Sequence, residues 1–172
     1  MKTVRDTSTI VARTLIEELR LTDDIKILEP SAGEGMIIDE IYRNYDLKNI
    51  HIDCVELNKE KYEVLKSKGY NAHHVDFLKY ETDVKYDRII AAPPFKNNID
   101  LEHIMRMYSM LDKNGILVSL TTPYWMTNNE GHQIGFRGWL KNKDYRIKML
   151  PDNSFIEKGR TVATAYIKIF KH

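Results

Sequence analysis

Between residues 8 and 121, short apolar runs alternate with amphipathic stretches, and this alternation leaves few architectures open. Residues 8–20 carry Ile10, Val11, Thr14, Leu15, Ile16 and Leu19 at helical spacing, which predicts a helix with one apolar face. "IKILEP" then reads as a buried strand ended by proline, "GEGMIIDEIYRNY" as a helix, and "NIHIDCVEL" as a strand. "NKEKYEVLKSKG" reads as a helix opened by Asn58 and stopped by Gly69. Strands over Tyr70–His74 and Tyr86–Ala91 precede a helix over Asp100–Leu111, which leads through "DKNG" into the strand "GILVSLTT". Strands separated by helices imply parallel pairing, because each helix carries the chain back across a face of the sheet. After residue 121 the rhythm changes to a glycine-interrupted helix, "NEGHQIGFRGWLKN", the strand "YRIKML", a polar loop and a long strand, "TVATAYIKIF". That closing pair is expected to form an antiparallel hairpin on the sheet edge. The expected class is α/β: a doubly wound, mostly parallel sheet of seven strands with an antiparallel C-terminal hairpin and helices on both faces.

A chain of 172 residues suits one domain with a sizeable core, so 1–172 is read as a single domain without a separate recognition domain. No apolar run approaches the roughly 18 residues needed to cross a bilayer. The start, "MKTVRDTSTIVARTLIEEL", carries acids and no apolar signal core, so a cytoplasmic location and no membrane partner are expected. Cys54, the single cysteine, lies in an alternating strand segment and is expected to be a buried core thiol. The six histidines show no metal-ligand spacing, and no metal is expected. Charge is unevenly spread: residues 1–86 carry 13 Lys and Arg against 17 Asp and Glu, residues 87–172 carry 13 against 8. A basic second half fits a polyanionic partner or a solvated face, and both readings stand on charge alone.

Ligands of doubly wound folds bind beyond the carboxyl ends of the strands, and the chemistry-bearing residues fall there. "ILEPSAGEG" follows the first strand, where Gly33 and Gly35 permit a tight turn and close approach to backbone N–H groups. The dinucleotide fingerprint is incomplete, since Ile38 stands at its third glycine, and Glu29 would repel a pyrophosphate. Glu29 instead suits a ligand's ammonium group. Glu56, at the end of the second strand, is placed to accept from two ribose hydroxyls. In "VDFL", Asp76 would accept from an adenine amine and Phe77 would cover the ring's edge. A ligand with ribose, adenine and a cationic amino-acid end is S-adenosylmethionine.

With these motifs the chain resembles class I S-adenosylmethionine-dependent methyltransferases, and among them adenine-N6 DNA methyltransferases of the small phage and prophage type. "TSTIVARTLIEEL", "ILEPSAGEG", "VEL", "VDFL", "DRIIAAPPF", "FRGWL" and "LPDNSFIEKGRTVATAYIKI" carry the likeness over nearly the whole length. It implies a Rossmann-like fold and adds Thr7, Pro30, Ser31, Ala32, Leu57 and Ala91 to the cofactor-binding residues Glu29, Gly33, Gly35, Glu56, Asp76 and Phe77. At the fourth strand the family carries Asn-Pro-Pro-Phe or Asn-Pro-Pro-Tyr, sometimes with Asp first. The polar residue and the carbonyl of the next proline, here Pro93, accept from the target amine and aim its lone pair. Pro93 and Pro94 hold those acceptors still, and Phe95 stacks on a base drawn from the helix. Ala92 stands where the family has Asn or Asp. A methyl group accepts no hydrogen bond, so transfer is expected to be impaired. Either a natural member has changed its chemistry, or a catalytic asparagine was deliberately replaced; the persistence of every other motif favours replacement.

DNA is the implied substrate, with Lys158 and Arg160 expected to contact its phosphates. Tyr124 and Trp125, after the fifth strand, either line the substrate cleft or pack under a loop. Asp100 and His103, on the helix after the catalytic turn, are expected at most to support it. Because no recognition region follows, specificity must come from short loops or a partner subunit, or be low. Methylation of an RNA adenine or a protein glutamine, and a non-catalytic module that binds cofactor and nucleic acid, are the competing readings.

Overall fold

The computed structural model describes the backbone of residues 4–151, 154, 156–157 and 160–172, and the side chains of residues 9–151, 154 and 162–172. Strands β1 (Lys26–Glu29), β2 (His51–Glu56), β3 (Asn71–His74), β4 (Tyr86–Ala91), β5 (Leu111–Thr121) and β6 (Asp144–Met149) are followed by a two-residue pair, β7 (Ile156–Glu157) and β8 (Arg160–Thr161), and by β9 (Ala165–Phe170). Seven of them form one sheet in the order β3-β2-β1-β4-β5-β9-β6. The first five pair in parallel, and β9 runs antiparallel to both β5 and β6. The expected hairpin is therefore present, but its second arm is inserted inside the sheet and β6 takes the edge.

Among the described residues, five α-helices, α1 (Val4–Leu19), α2 (Met36–Asn44), α3 (Lys59–Ser67), α4 (Ile99–Met110) and α5 (Gly131–Leu140), accompany these strands. Strand alternation sends neighbours to opposite sides: Ile27, Ile90 and Val118 pack with α1 and α2, while Leu28, Ile89 and Leu117 pack with α4 and α5. Each such side chain, once buried, contributes about 1.5–3 kcal/mol. Val11, Leu15, Ile16 and Leu19 form the buried stripe of α1 as expected, whereas Ile10 is 47 % exposed and lies off it.

Three boundaries differ from the sequence expectation for local reasons. Helix α2 begins after the glycines, because Gly33 and Gly35 sit at φ 56° and 84° and form a turn. "DKNG" belongs to β5 as a bulge: Asn114, at φ 63°, donates from its backbone to the Lys171 carbonyl, and the β4 pairing shifts between Tyr86 and Arg88. The long strand "TVATAYIKIF" is broken, since Thr164 turns its hydroxyl onto the Val162 carbonyl and only Ala165–Phe170 joins the sheet. Cys54 is buried in the core, and burial, helped by Glu29, Asp53 and Glu56, pushes its thiol up to about 12.

Candidate cofactor site

A cavity of about 770 Å³ opens at the carboxyl ends of β1, β2 and β4. Its first wall is the turn after β1, where Gly35 donates to the Ala32 carbonyl at 2.8 Å and Ala32 donates to the Val55 carbonyl at 3.1 Å. The Glu56 carboxylate ties this turn to β2: it accepts from the Gly33 N–H at 2.8 Å and from the Asn58 N–H at 2.7 Å. Glu56 is thus fixed by the backbone it borders, and its oxygens keep lone pairs for ribose hydroxyls. Asp76 lines the same cavity while capping the turn Phe77–Lys79 through the Leu78 N–H at 3.0 Å.

The two glycines do different work. A Cβ on Gly33 would meet no atom within 4 Å, whereas a Cβ on Gly35 would lie 2.8 Å from Leu65 Cδ2 and 3.0 Å from Tyr70 Cε2. Gly33 lines the cavity; Gly35 serves the packing behind it and is not among the lining residues, contrary to its expected ligand contact. Gly35→Ala is expected to add overpacking of about 1–3 kcal/mol to the about 1–3 kcal/mol of backbone strain that Gly33→Ala also incurs. Urea denaturation of the two variants checks this, and equal losses would contradict it.

The charge of the cavity selects its ligand. Among the described residues, four carboxylates, Glu29, Glu34, Glu56 and Asp76, face one ammonium, Lys61. Such a wall repels phosphates and favours a cation. Glu29 is 2 % exposed, and its Oε2 has no hydrogen-bond partner among the described residues. Burial, reinforced by Asp39 and Glu56, holds its carboxyl well above the usual range. An ammonium group delivered to Oε2 would satisfy the orphan oxygen and favour the carboxylate form.

The third wall is the turn after β4, with Ala92, Pro93, Pro94 and Phe95 all lining the cavity. Phe95 is 8 % exposed and packs into the core as it does so, so its ring is a wall rather than a projection into solvent. Ala92 also borders a small apolar niche of about 50 Å³ with Val11, Leu15, Met36 and Leu120. Asn97 and Asn98 follow in the left-handed region, at φ 58° and 59°, a conformation asparagine tolerates. Two contacts brace this turn from behind. Asn98 Oδ1 accepts from Gln133 Nε2 of α5 at 3.0 Å, and the fully buried Asp100 accepts from Thr121 Oγ1 at 2.8 Å and the Thr122 N–H at 3.2 Å.

Of the residues expected to bind the cofactor, Pro30, Ser31, Ala32, Leu57 and Phe77 line the cavity, and Ala91 does not: it is fully buried in the core. Trp125 is 3 % exposed and stands edge-on to Phe136, so it packs under the loop and leaves the cleft to others; Tyr124 is 51 % exposed. Lys158 and the side chains of Thr7 and Arg160 lie outside the described residues. The cavity also takes in Met36, Lys61, Ile99 and His103. His103 sits 3.5 Å from Ser31 Oγ and tilts against Phe77, and burial holds its imidazole down to about 4. Ile99 and His103 are one helical turn apart, which is the signal that α4 presents a face to the site.

The sheet has the fold of solved methyltransferases. A Listeria monocytogenes protein assigned to the class I S-adenosylmethionine-dependent methyltransferases superposes with a TM-score of 0.74 at 14 % identity, over 99 % of this chain and 62 % of that one. Among curated proteins, the type II methyltransferase M.CvrRI of Paramecium bursaria Chlorella virus XZ-6E is 35 % identical over 82 residues, 47 % of this chain and 21 % of the relative. The tRNA1(Val) (adenine(37)-N6)-methyltransferase of Aliivibrio fischeri is 35 % identical over 82 residues, 42 % of this chain and 34 % of the relative. The chain thus spans between a fifth and a third of the length of these relatives. No protein-family model matches it.

Proposed function

We propose that the chain is the scaffold of an S-adenosylmethionine-dependent N-methyltransferase directed at the N6 amine of adenine in DNA, with transfer impaired by Ala92. The observation that carries this reading is the acidic cavity: Glu29, whose Oε2 has no partner among the described residues, Glu56 fixed on the glycine turn, and Asp76 at the third strand end. The cofactor supplies an activated methyl on a sulfonium. Glu29 would take its ammonium, Glu56 its ribose hydroxyls and Asp76 its adenine amine. The Pro93 carbonyl would accept from the target amine, and Phe95 would wall the target base. The viral relative is a type II methyltransferase by its name; the bacterial relative modifies a tRNA adenine by its name and supports RNA as a second reading. Ala92 itself favours a third, a module that binds cofactor and nucleic acid without transferring methyl.

Titration calorimetry with S-adenosylmethionine and S-adenosylhomocysteine tests the cofactor, and absence of binding by both overturns the reading. Tritium transfer to DNA, tRNA and total cell protein then identifies the acceptor. Neutralising Lys158 and Arg160 together is expected to lower the slope of log affinity for DNA against log salt by about 2; an unchanged slope would remove them from the phosphate contacts.

A further inference from the structure

Behind the glycine turn, on the side away from the cavity, three segments converge on one ammonium. Lys68, the residue that ends α3, donates from Nζ to the Glu34 carbonyl at 2.6 Å and to Asp39 Oδ2 at 2.7 Å. Asp39 lies in the first turn of α2, and its other oxygen accepts a short hydrogen bond from Tyr70 Oη, just before β3. Tyr70 and Leu65 fill the space that a side chain on Gly35 would need. The turn is therefore held twice: by Glu56 on Gly33 at the cavity face, and by Lys68 on Glu34 at the rear. Gly33 and Glu34, the two pinned residues, both line the cavity.

We propose that Lys68 is a positioning residue for the cofactor turn: its ammonium fixes the Glu34 peptide and the start of α2, and thereby sets how tightly the cavity holds its ligand. This rests on the methyl-donor reading of the cavity. Lys68 lines no part of the cavity itself, and its side chain is one-third exposed, so the fold does not depend on burying it.

Two effects of Lys68 oppose each other, and that makes its role measurable. As a charge, it repels a cationic ligand, and its field also favours the ionised form of Glu29. As a brace, it orders the turn for any ligand, charged or not. Removing a charge would favour S-adenosylmethionine, which carries a sulfonium, over S-adenosylhomocysteine, which does not. Removing a brace would weaken both alike.

Calorimetric titration of both ligands into the unmodified chain, Lys68→Met and Lys68→Arg provides the test. The expected result is a similar loss for both ligands in Lys68→Met, of about tenfold, the equivalent of one charge-assisted hydrogen bond. Lys68→Arg, which keeps donors for both acceptors, is expected to retain most of the affinity. Amide exchange in residues 33–36 should quicken in Lys68→Met and not in Lys68→Arg. Unchanged affinities, or a gain confined to S-adenosylmethionine, would overturn the proposal. Should Lys68→Met fail to fold, Asp39→Asn removes the ammonium's anchor and is expected to weaken both ligands in the same direction; no change there would overturn it equally. If the unmodified chain binds neither ligand, the cofactor reading fails instead, and the two failures are told apart.

Discussion

Replacing Ala92 by asparagine is expected to raise methyl transfer to adenine by about ten- to a hundredfold, the rate equivalent of one recovered polar contact worth roughly 1–3 kcal/mol. The turn that would receive the amide is already shaped for it. Pro93 and Pro94 fix the backbone on one side, and Asn98 and Asp100 are tied to α5 and β5 on the other. The niche beside Ala92 is lined by apolar side chains, so an amide at this position is driven towards the polar cavity, where the amine must lie. Cofactor affinity should change little, because Glu29, Glu56 and Asp76 stand at other strand ends. A kcat gain at nearly constant cofactor affinity is therefore the signature. Negligible transfer by both proteins, on DNA, RNA and protein alike, would sink the idea that Ala92 is what limits transfer.

Glu29→Gln should do the opposite: leave the empty protein as stable or more so, and remove cofactor affinity by on the order of a hundredfold, the loss of a charge-assisted contact. The buried carboxyl has its folded pKa raised above the ordinary 4.5. Its protonated form is the one the fold favours, so its contribution is intact at low pH. That contribution declines as pH rises from about the ordinary carboxylate value towards the raised one, by up to about 1.4 kcal/mol per unit. Glutamine, neutral at every pH, abolishes the decline. Ligand binding has the reverse dependence: an ammonium needs the carboxylate, so affinity should climb with pH over the same window and binding should release a proton. Calorimetry in buffers of different ionisation enthalpy reads that proton directly. A pH-independent affinity with no proton release would refute the assignment of Glu29 to the ligand's ammonium.

The strand ends were the legible part of this molecule. Glu29, Glu56 and Asp76 could be placed from sequence because a period change from strand to helix marks where each strand stops, and ligands of such sheets sit there. The backs of the same features were not legible. Gly35 looks like a ligand contact in "SAGEG", yet its freedom is spent against Leu65 and Tyr70, residues supplied by a later helix and strand. Lys68 reads as one more lysine in "LKSKG"; only the crossover from α3 to β3 brings it under the Glu34 carbonyl. Ala91 faces the core for a related reason, since proximity to a motif does not reveal which face of the sheet a side chain takes, and of the two readings open for Trp125 its burial selects the packed one. The order of β9 and β6 likewise depends on which strand β5 accepts, a choice made by packing between distant segments.

That order governs how the sheet can be assembled as the chain is made. Strand β6 leaves the ribosome before β9, but among the described residues its hydrogen-bonding partner is β9 alone. The parallel half, with the cofactor turn, can pair as soon as β5 is available, while β6 must wait, unpaired, for a strand synthesised after it. The acidic pocket can therefore form early, and the part that holds β9 and β6 is completed last. A pulse of the methyl donor during translation would meet the first before the second exists.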